Sequence, residues 1–254
     1  MTFATRFNYC EANATAKRML EPTKMIADTA AAAARAYEAI KSRIIDCVYL
    51  PGAKISEARL VEELGVGRSP IRTALARLRS EGWIEVSPQS GSYVKELNEQ
   101  EMREIFDFRL LLETHVARLA AINITDEQLR KLKLGLRRAK ALEGEGYDKV
   151  TFDEFDQFDT LVHSTIYEAG GNSLIGNVLQ NLLEKAQWLK RTTPSTPTRM
   201  KTWFNELKRI IDALEARDAD LAAQRIREHI GHAADFEMKF AAQSSAAAKK
   251  SKAA

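Results

Sequence analysis

Gly65 ends one apolar-periodic stretch and Pro70 sits in the first turn of the next, so two helices must follow each other across a very tight turn and cross steeply. Glycine supplies the left-handed backbone that stops a helix, and a proline in a first turn lacks only an N–H that no helix bond would use. The earlier helix, Ser56 to Leu64, has a capping hydroxyl in Ser56, with Ile55 and Leu60 placed to staple its start. Upstream, Tyr37, Ile40, Ile44 and Val48 make an apolar stripe at helical spacing that the Pro51-Gly52 turn is expected to end. Downstream, Trp83-Ile84-Glu85-Val86 and Ser92-Tyr93-Val94-Lys95 flank Pro88-Gln89-Ser90-Gly91, a hairpin signal with glycine at the tip. The succession predicts a winged helix-turn-helix, whose second helix leaves its N-terminal half free for a major groove.

That second helix buries Ile71, Leu75 and Leu78, while Arg68, Arg72 and Arg79 fall within about 40° of one another at 3.6 residues per turn and Arg77 lies on another flank. From Gly67 to Ser80 there are four arginines and no acid, although the neighbouring stretches carry Glu57, Glu62, Glu63, Glu81 and Glu85. Thr73, Ala74 and Ala76 are small enough for a close approach. Four arginines on one helix also suit a solvated face with ordinary ion pairs; the turn, the hairpin and the missing acids turn the reading toward duplex DNA. The formal net charge is only +3, from 38 Lys and Arg against 35 Asp and Glu, so positive surface must be local. Sequence-independent packaging of nucleic acid would need far more.

Leu50-Pro51-Gly52, Leu60 to Leu64, Gly65-Val66-Gly67-Arg68-Ser69-Pro70-Ile71-Arg72-Thr73-Ala74-Leu75 and Glu81-Gly82-Trp83 together resemble the GntR family of regulators. The resemblance implies that Arg68 and Arg72 contact bases and phosphates, that Ser69 contacts phosphate and that Gly91 brings the wing tip near the minor groove. Arg77 and Arg79 are further candidates on the same helix. Gly67 departs from the family pattern, which has Ser or Thr there, and removes a capping hydroxyl at a cost of a few tenths of a kcal/mol.

After Leu97 the pattern becomes helical almost throughout, and six amphipathic helices are predicted over 98–121, 125–142, 147–169, 172–192, 197–216 and 218–241. The fold class expected is mainly α: a winged helix-turn-helix over 33–97 and a six-helix, all-α ligand-binding bundle over 98–241, between a mobile arm (1–32) and a disordered basic tail (242–254). In the third of these helices Phe155, Phe158, Val162 and Ile166 face inward, followed on the same side by Asp159 and His163, which at i and i+4 can chelate one ion. In the last, Ala222, Ile226, Ile230, Ala233 and Phe240 form the stripe into which His229 falls. A hydrogen-bonded core trio and a metal site both fit these three residues. Arg109 and Glu113 lie one turn apart, so Arg109 can pair with Glu113 or grip a carboxylate; Trp188 can line a pocket or simply fill core, and the pattern leaves Lys190 and Arg191 exposed.

Arg109 to Glu113, Asp159 to His163, Ala169-Gly170-Gly171-Asn172, Ile210-Ile211-Asp212-Ala213 with Asp218, and His229 resemble the FCD-type ligand-binding domain of the FadR subfamily of GntR regulators. The resemblance implies one divalent transition metal, of the zinc or nickel class, held by an Asp and three His, with an effector carboxylate completing the coordination. Leu207, following Glu206, stands where the middle His is expected, so Asp159, His163 and His229 would be left as a two-His, one-carboxylate set. His232 and His115 are read as surface and packing residues. A metal-free pocket in which the same residues bond the ligand directly is the competing view.

The function expected is a sequence-specific transcriptional regulator, a repressor by family default. A homodimer would place two recognition helices on a pseudo-palindromic DNA operator, under control of a small organic-acid effector bound near Arg109 and Trp188. The alternative is a metal-dependent enzyme fused to a DNA-binding head, which would need a general acid or base that the Asp and His residues do not by themselves supply. Cys10 and Cys47 are too few for a disulfide framework or thiolate zinc site. With no long apolar run and no signal-peptide pattern, a cytoplasmic protein without a membrane partner is expected.

Overall fold

The computed structural model describes residues 28–87, 91–141, 149–193 and 196–252. The chain divides into two compact units, Met1–Glu96 and Leu97–Ala254. Most of the arm, residues 1–27, lies outside the described residues, as do Pro88, Gln89 and Ser90 of the wing tip.

In the first unit, helix α1 covers 28–45 and buries Tyr37, Ile40 and Ile44. It includes residues 28–32, which composition assigns to the arm. Val48 does not continue the stripe: Cys47 takes a left-handed φ of 54°, the helix stops before it, and Val48 is 66% exposed. A short strand β1 (Lys54–Ile55) leads to α2 (Glu57–Leu64), where Ser56 accepts from Arg59 N–H, and Ile55 and Leu60 are both buried as the staple requires. Gly65, at φ 61°, caps α2, and α3 (Arg68–Ser80) follows with Gly67 as a cap that has no side-chain bond. Ile71, Ala74, Leu75 and Leu78 are the buried face of α3. Strands β2 (Ile84–Ser87) and β3 (Gly91–Val94) form the wing. The sheet order is β1-β3-β2, all antiparallel, with Ile84 opposite Val94 and Lys54 opposite Tyr93. Two residues are too few to leave an alternating pattern, which is why β1 was not legible in the sequence.

The second unit contains α4 (Glu99–Asn123), α5 (Asp126–Ala141), α6 (Lys149–Ala169), α7 (Ser173–Thr192), α8 (Pro197–Glu215) and α9 (Ala219–Lys252). Helix α4 opens on a full capping box, Asn98 to Glu101 N–H and Glu101 back to Asn98 N–H. Helix α9 runs to Lys252, into the segment whose composition predicts disorder; its alanines have high helix propensity and nothing there breaks a helix. Helix α4 packs chiefly on α9 and also on α6, and α8 packs on α9. Phe155, Phe158, Val162 and Ile166 of α6 meet Ile226 and Ile230 of α9 and Leu207, Ile210 and Ile211 of α8 in one apolar core. Leu207 is fully buried in it, so the position expected for a middle His contributes packing. Among the described residues no helix is long and apolar enough to cross a membrane.

Candidate functional site

On the exposed side of α3, Arg68, Ser69, Arg72 and Arg79 face solvent. The absence of acids within the helix does not leave all four guanidinium groups free. Arg72 Nε donates to Glu57 Oε2 at 2.9 Å, across the tight turn from the start of α2. Arg77 Nε donates to Glu81 Oε1 at 2.9 Å, and its guanidinium lies 3.7 Å from the centre of the Tyr37 ring, whose hydroxyl also donates to Glu81. Arg77 is therefore engaged with its own scaffold through Glu81 and Tyr37. Gly91 begins β3 at φ 109°, a backbone that only glycine adopts readily.

In the second unit α6 and α9 bring Asp159, His163 and His229 together, all buried. The Nε2 atoms of the two imidazoles are 3.3 Å apart; Asp159 Oδ1 lies 3.3 Å from that of His229 and 3.7 Å from that of His163. Ligand atoms about 2.0–2.2 Å from one ion, at tetrahedral or octahedral angles, are themselves about 3–3.5 Å apart, so the triangle fits a first-row divalent cation. The other ring nitrogens are committed: His163 Nδ1 to Glu113 Oε2 at 2.6 Å and His229 Nδ1 to Glu206 Oε2 at 3.0 Å. A carboxylate on Nδ1 fixes the tautomer with its proton there and turns the Nε2 lone pair inward. Burial alone would raise the Glu113 carboxyl, but Arg109 and His163 outweigh it and hold it down at about 2. Asp159 is buried yet held well below the usual carboxylate range by Lys190 and the two histidines. Burial pulls His229 toward neutrality and its bonds to Asp159 and Glu206 outweigh that, so its affinity for a proton rises. Three electron-rich atoms facing one another need a cation or a proton between them, and these residues could hold either.

Arg109 is almost fully buried and donates through Nε to Glu113 Oε1 at 2.7 Å, while also lining the cavity beside the triad. Both sequence readings of Arg109 thus remain compatible with its place. Trp188 does not reach this cavity: it is buried, but two positions before Lys190 and so about 200° around α7 from the face that does. The indole present is Trp203 of α8, whose Nε1 donates to Asp159 Oδ1 at 2.7 Å. Lys190, expected to be exposed, is instead drawn inward: Nζ donates to Asp159 Oδ2 at 2.7 Å and Asp156 Oδ1 at 2.8 Å and lies 4.1 Å from the Trp203 ring centre. The signal was present, because Lys190 continues the inward stripe Leu179, Leu183, Ala186 at helical spacing. Arg191 also turns to carboxylates, Asp153 and Asp156. Glu206, Arg199 and Glu237 are further site groups that sequence reasoning passed over; each is a charged residue on the inner face of α8 or α9. The cavity has about 30 Å³ of open interior, room for a water or two, so a larger guest enters only if its walls move.

An arginine-bearing helix on a winged scaffold, followed by a separate all-helical unit with a buried polar pocket, defines a DNA-binding transcription regulator. Two profiles match the chain, "Bacterial regulatory proteins, gntR family" over residues 32–94 and "FCD domain" over residues 104–232, and the protein belongs to the GntR family with an FCD domain at its C-terminal side. It is 32% identical over 224 residues to the gluconate operon transcriptional repressor of Bacillus licheniformis, covering 84% of this chain and 87% of that one. To the repressor of the same name in Bacillus subtilis it is 30% identical over 233 residues, 86% and 90% of the two chains. The HTH-type transcriptional repressor RspR of Escherichia coli (strain K12) is 25% identical over 197 residues, 76% and 83%. Among solved structures, E. coli McbR/YncC superposes with a TM-score of 0.72 at 20% identity, over 82% of this chain and 97% of that one, and shares the fold. These relatives are regulators, and the reading as a metal-dependent enzyme has no support among them.

Proposed function

We propose that the protein is a transcriptional repressor that binds a pseudo-palindromic operator as a homodimer and is controlled by a small organic acid bound between α4, α6, α7, α8 and α9. The observation that carries the reading is the buried Asp159, His163 and His229 triangle, each imidazole backed by its own glutamate, beside the cations Arg109 and Lys190. Such a constellation costs folding free energy and is the sort of group kept for binding. Asp159, His163 and His229 would hold one divalent ion of the zinc or nickel class, which supplies concentrated positive charge for a carboxylate; Arg109 is the guanidinium suited to the same group. The relatives named for the gluconate operon favour a sugar acid among organic acids.

In the first unit Arg68 and Arg72 read base edges and phosphates, Ser69 and Arg79 bind phosphate, and Gly91 lets the wing tip approach the minor groove. Because side chains nearly fill the cavity, an effector must displace them to enter, and that differential fit is what shifts operator affinity. A second reading, favoured by the Lys190–Asp159 ion pair, has Lys190 and Arg109 hold the acid with no metal. Footprinting on genomic fragments, with native and chelated protein and a panel of organic acids, tests both. A protected palindrome released by an acid supports the proposal, and release that persists after chelation selects the metal-free form. No protected sequence under any condition would overturn it.

A further inference from the structure

Helix α9 carries a second acid into the pocket, apart from the triad. Glu237 lies two turns beyond His229, about 12 Å along the helix axis, and is only 5% exposed. Its Oε2 accepts a hydrogen bond from Thr193 Oγ1, just past the end of α7. The ring of Phe236 beside it carries the Arg199 guanidinium 5.2 Å from its centre. Earlier positions on the same inner stripe, Ile226, Ile230 and Ala234, are apolar, so the fold itself does not call for a carboxylate here. Burial pushes the Glu237 carboxyl up to about 7, against smaller opposing pulls from Thr193, Lys190 and Arg199. A buried acid that has, among the described residues, one hydroxyl as its hydrogen-bonding partner is costly to keep unless something else is bound there.

Resting on the reading of this pocket as an acid-sensing site, we propose that Glu237 is the specificity-determining residue for the effector's far end and selects an acid that bears a hydroxyl there. A hydroxyl both donates and accepts, so it satisfies the carboxyl whether or not that group holds its proton. An ammonium at the same place would meet Lys190 and Arg199, and an aliphatic end would leave the carboxyl unsatisfied. A second carboxylate, drawn by those two cations, is the rival.

Three six-carbon probes separate these ends: gluconate, hexanoate and adipate, titrated calorimetrically into the full-length chain, the Glu237→Met variant and the Thr193→Val variant. Thr193→Val loosens Glu237 without touching α9 and serves if Glu237→Met does not fold. The proposal expects gluconate to bind the unmodified protein at least about tenfold tighter than hexanoate or adipate, because a site built around a hydroxyl rejects its absence strongly. Glu237→Met should reduce that preference to within about threefold, and Thr193→Val should lower it measurably; a preference set only at the carboxylate end would survive both. Equal binding of gluconate and hexanoate, a preference for adipate, or a preference unchanged in the variants overturns the assignment of Glu237 while leaving acid sensing intact. Failure of all three acids to bind overturns the acid-sensing reading itself.

Discussion

The imidazoles of His163 and His229 face each other through their Nε2 atoms at 3.3 Å, while their Nδ1 atoms are bonded to different buried glutamates, Glu113 and Glu206. Each glutamate makes its histidine more basic and holds the ring in place, so the pair is prepared for a shared cation from both sides. Glu206 has a second partner in His232 Nδ1 at 2.8 Å, and Arg199 lies 3.7 Å away. Glu206→Gln keeps shape and loses charge. It should weaken divalent metal binding by about 10–100-fold with the helical signal unchanged, measured by competition with a chromophoric chelator. Unaltered affinity would show that His229 is not a ligand.

Lys190 already neutralises Asp159 and Asp156, so it and a divalent ion compete for the same negative charge. Lys190→Met should lower metal-free stability by about 3–5 kcal/mol, since the buried Asp159 carboxylate loses its lysine partner while Asp156 keeps Arg191. Zinc should then raise the melting temperature of the variant more than that of the parent. Equal zinc-induced shifts in the two chains would mean that Lys190 and the ion act independently.

The two arginine environments on α3 separate recognition from stability. Among the described residues Arg72 is held by Glu57 alone, and it is largely exposed, with 68% of its side chain accessible. Arg72→Ala should leave the fold intact and erase about 1–3 kcal/mol of discrimination between the operator and unrelated duplex, read by gel shift at fixed salt. Arg77, bound to Glu81 and stacked on Tyr37, should behave oppositely: Arg77→Ala costs about 1 kcal/mol of stability and leaves discrimination unchanged. Loss of selectivity in Arg77→Ala with Arg72→Ala silent would reverse the assignment.

What the sequence made legible follows from how local each signal is. The cap at Ser56, the stop at Gly65 and the i, i+4 pair Asp159 and His163 depend on neighbours a turn away, and all can be read from one strip of sequence. Partners that meet only when helices pack were not legible: Glu206 on His229, Trp203 rather than Trp188 at Asp159, Glu57 on Arg72. Periodicity says which face of a helix turns inward but not which other face it meets. Lys190 and Glu237 fall between the two cases. Each sits in register with an apolar stripe, where a charge is either an interruption of the pattern or a polar group carried into the core on purpose, and the second is what the packing gives.

Glu237 also gives the helical unit a pH dependence whose sign is fixed. Its carboxyl titrates at about 7 in the folded chain against 4.5 for a free glutamate, so the folded state binds that proton more tightly than the unfolded state does. Its contribution is therefore complete below about pH 4.5 and declines as pH rises, with the loss finished above about pH 7, on the order of 3 kcal/mol across the window. Lys190, Arg199 and Thr193 face the group and all favour its ionised form, which limits the loss. Glu113, held at about 2, acts in the opposite sense: its contribution is present above 4.5 and fades as pH falls toward 2, so the windows hardly overlap. His229, whose proton affinity is raised, loses stability as pH rises above its ordinary 6.5 and overlaps the upper part of Glu237's range. A comparison of the parent with Glu237→Gln removes the His229 contribution, which both chains share. Urea denaturation at about pH 5 and about pH 8 should find the variant close to the parent at the lower value and more stable at the higher one. A gap that does not widen with pH would mean that Glu237 stays ionised in the folded chain throughout, with its charge met by Lys190 and Arg199.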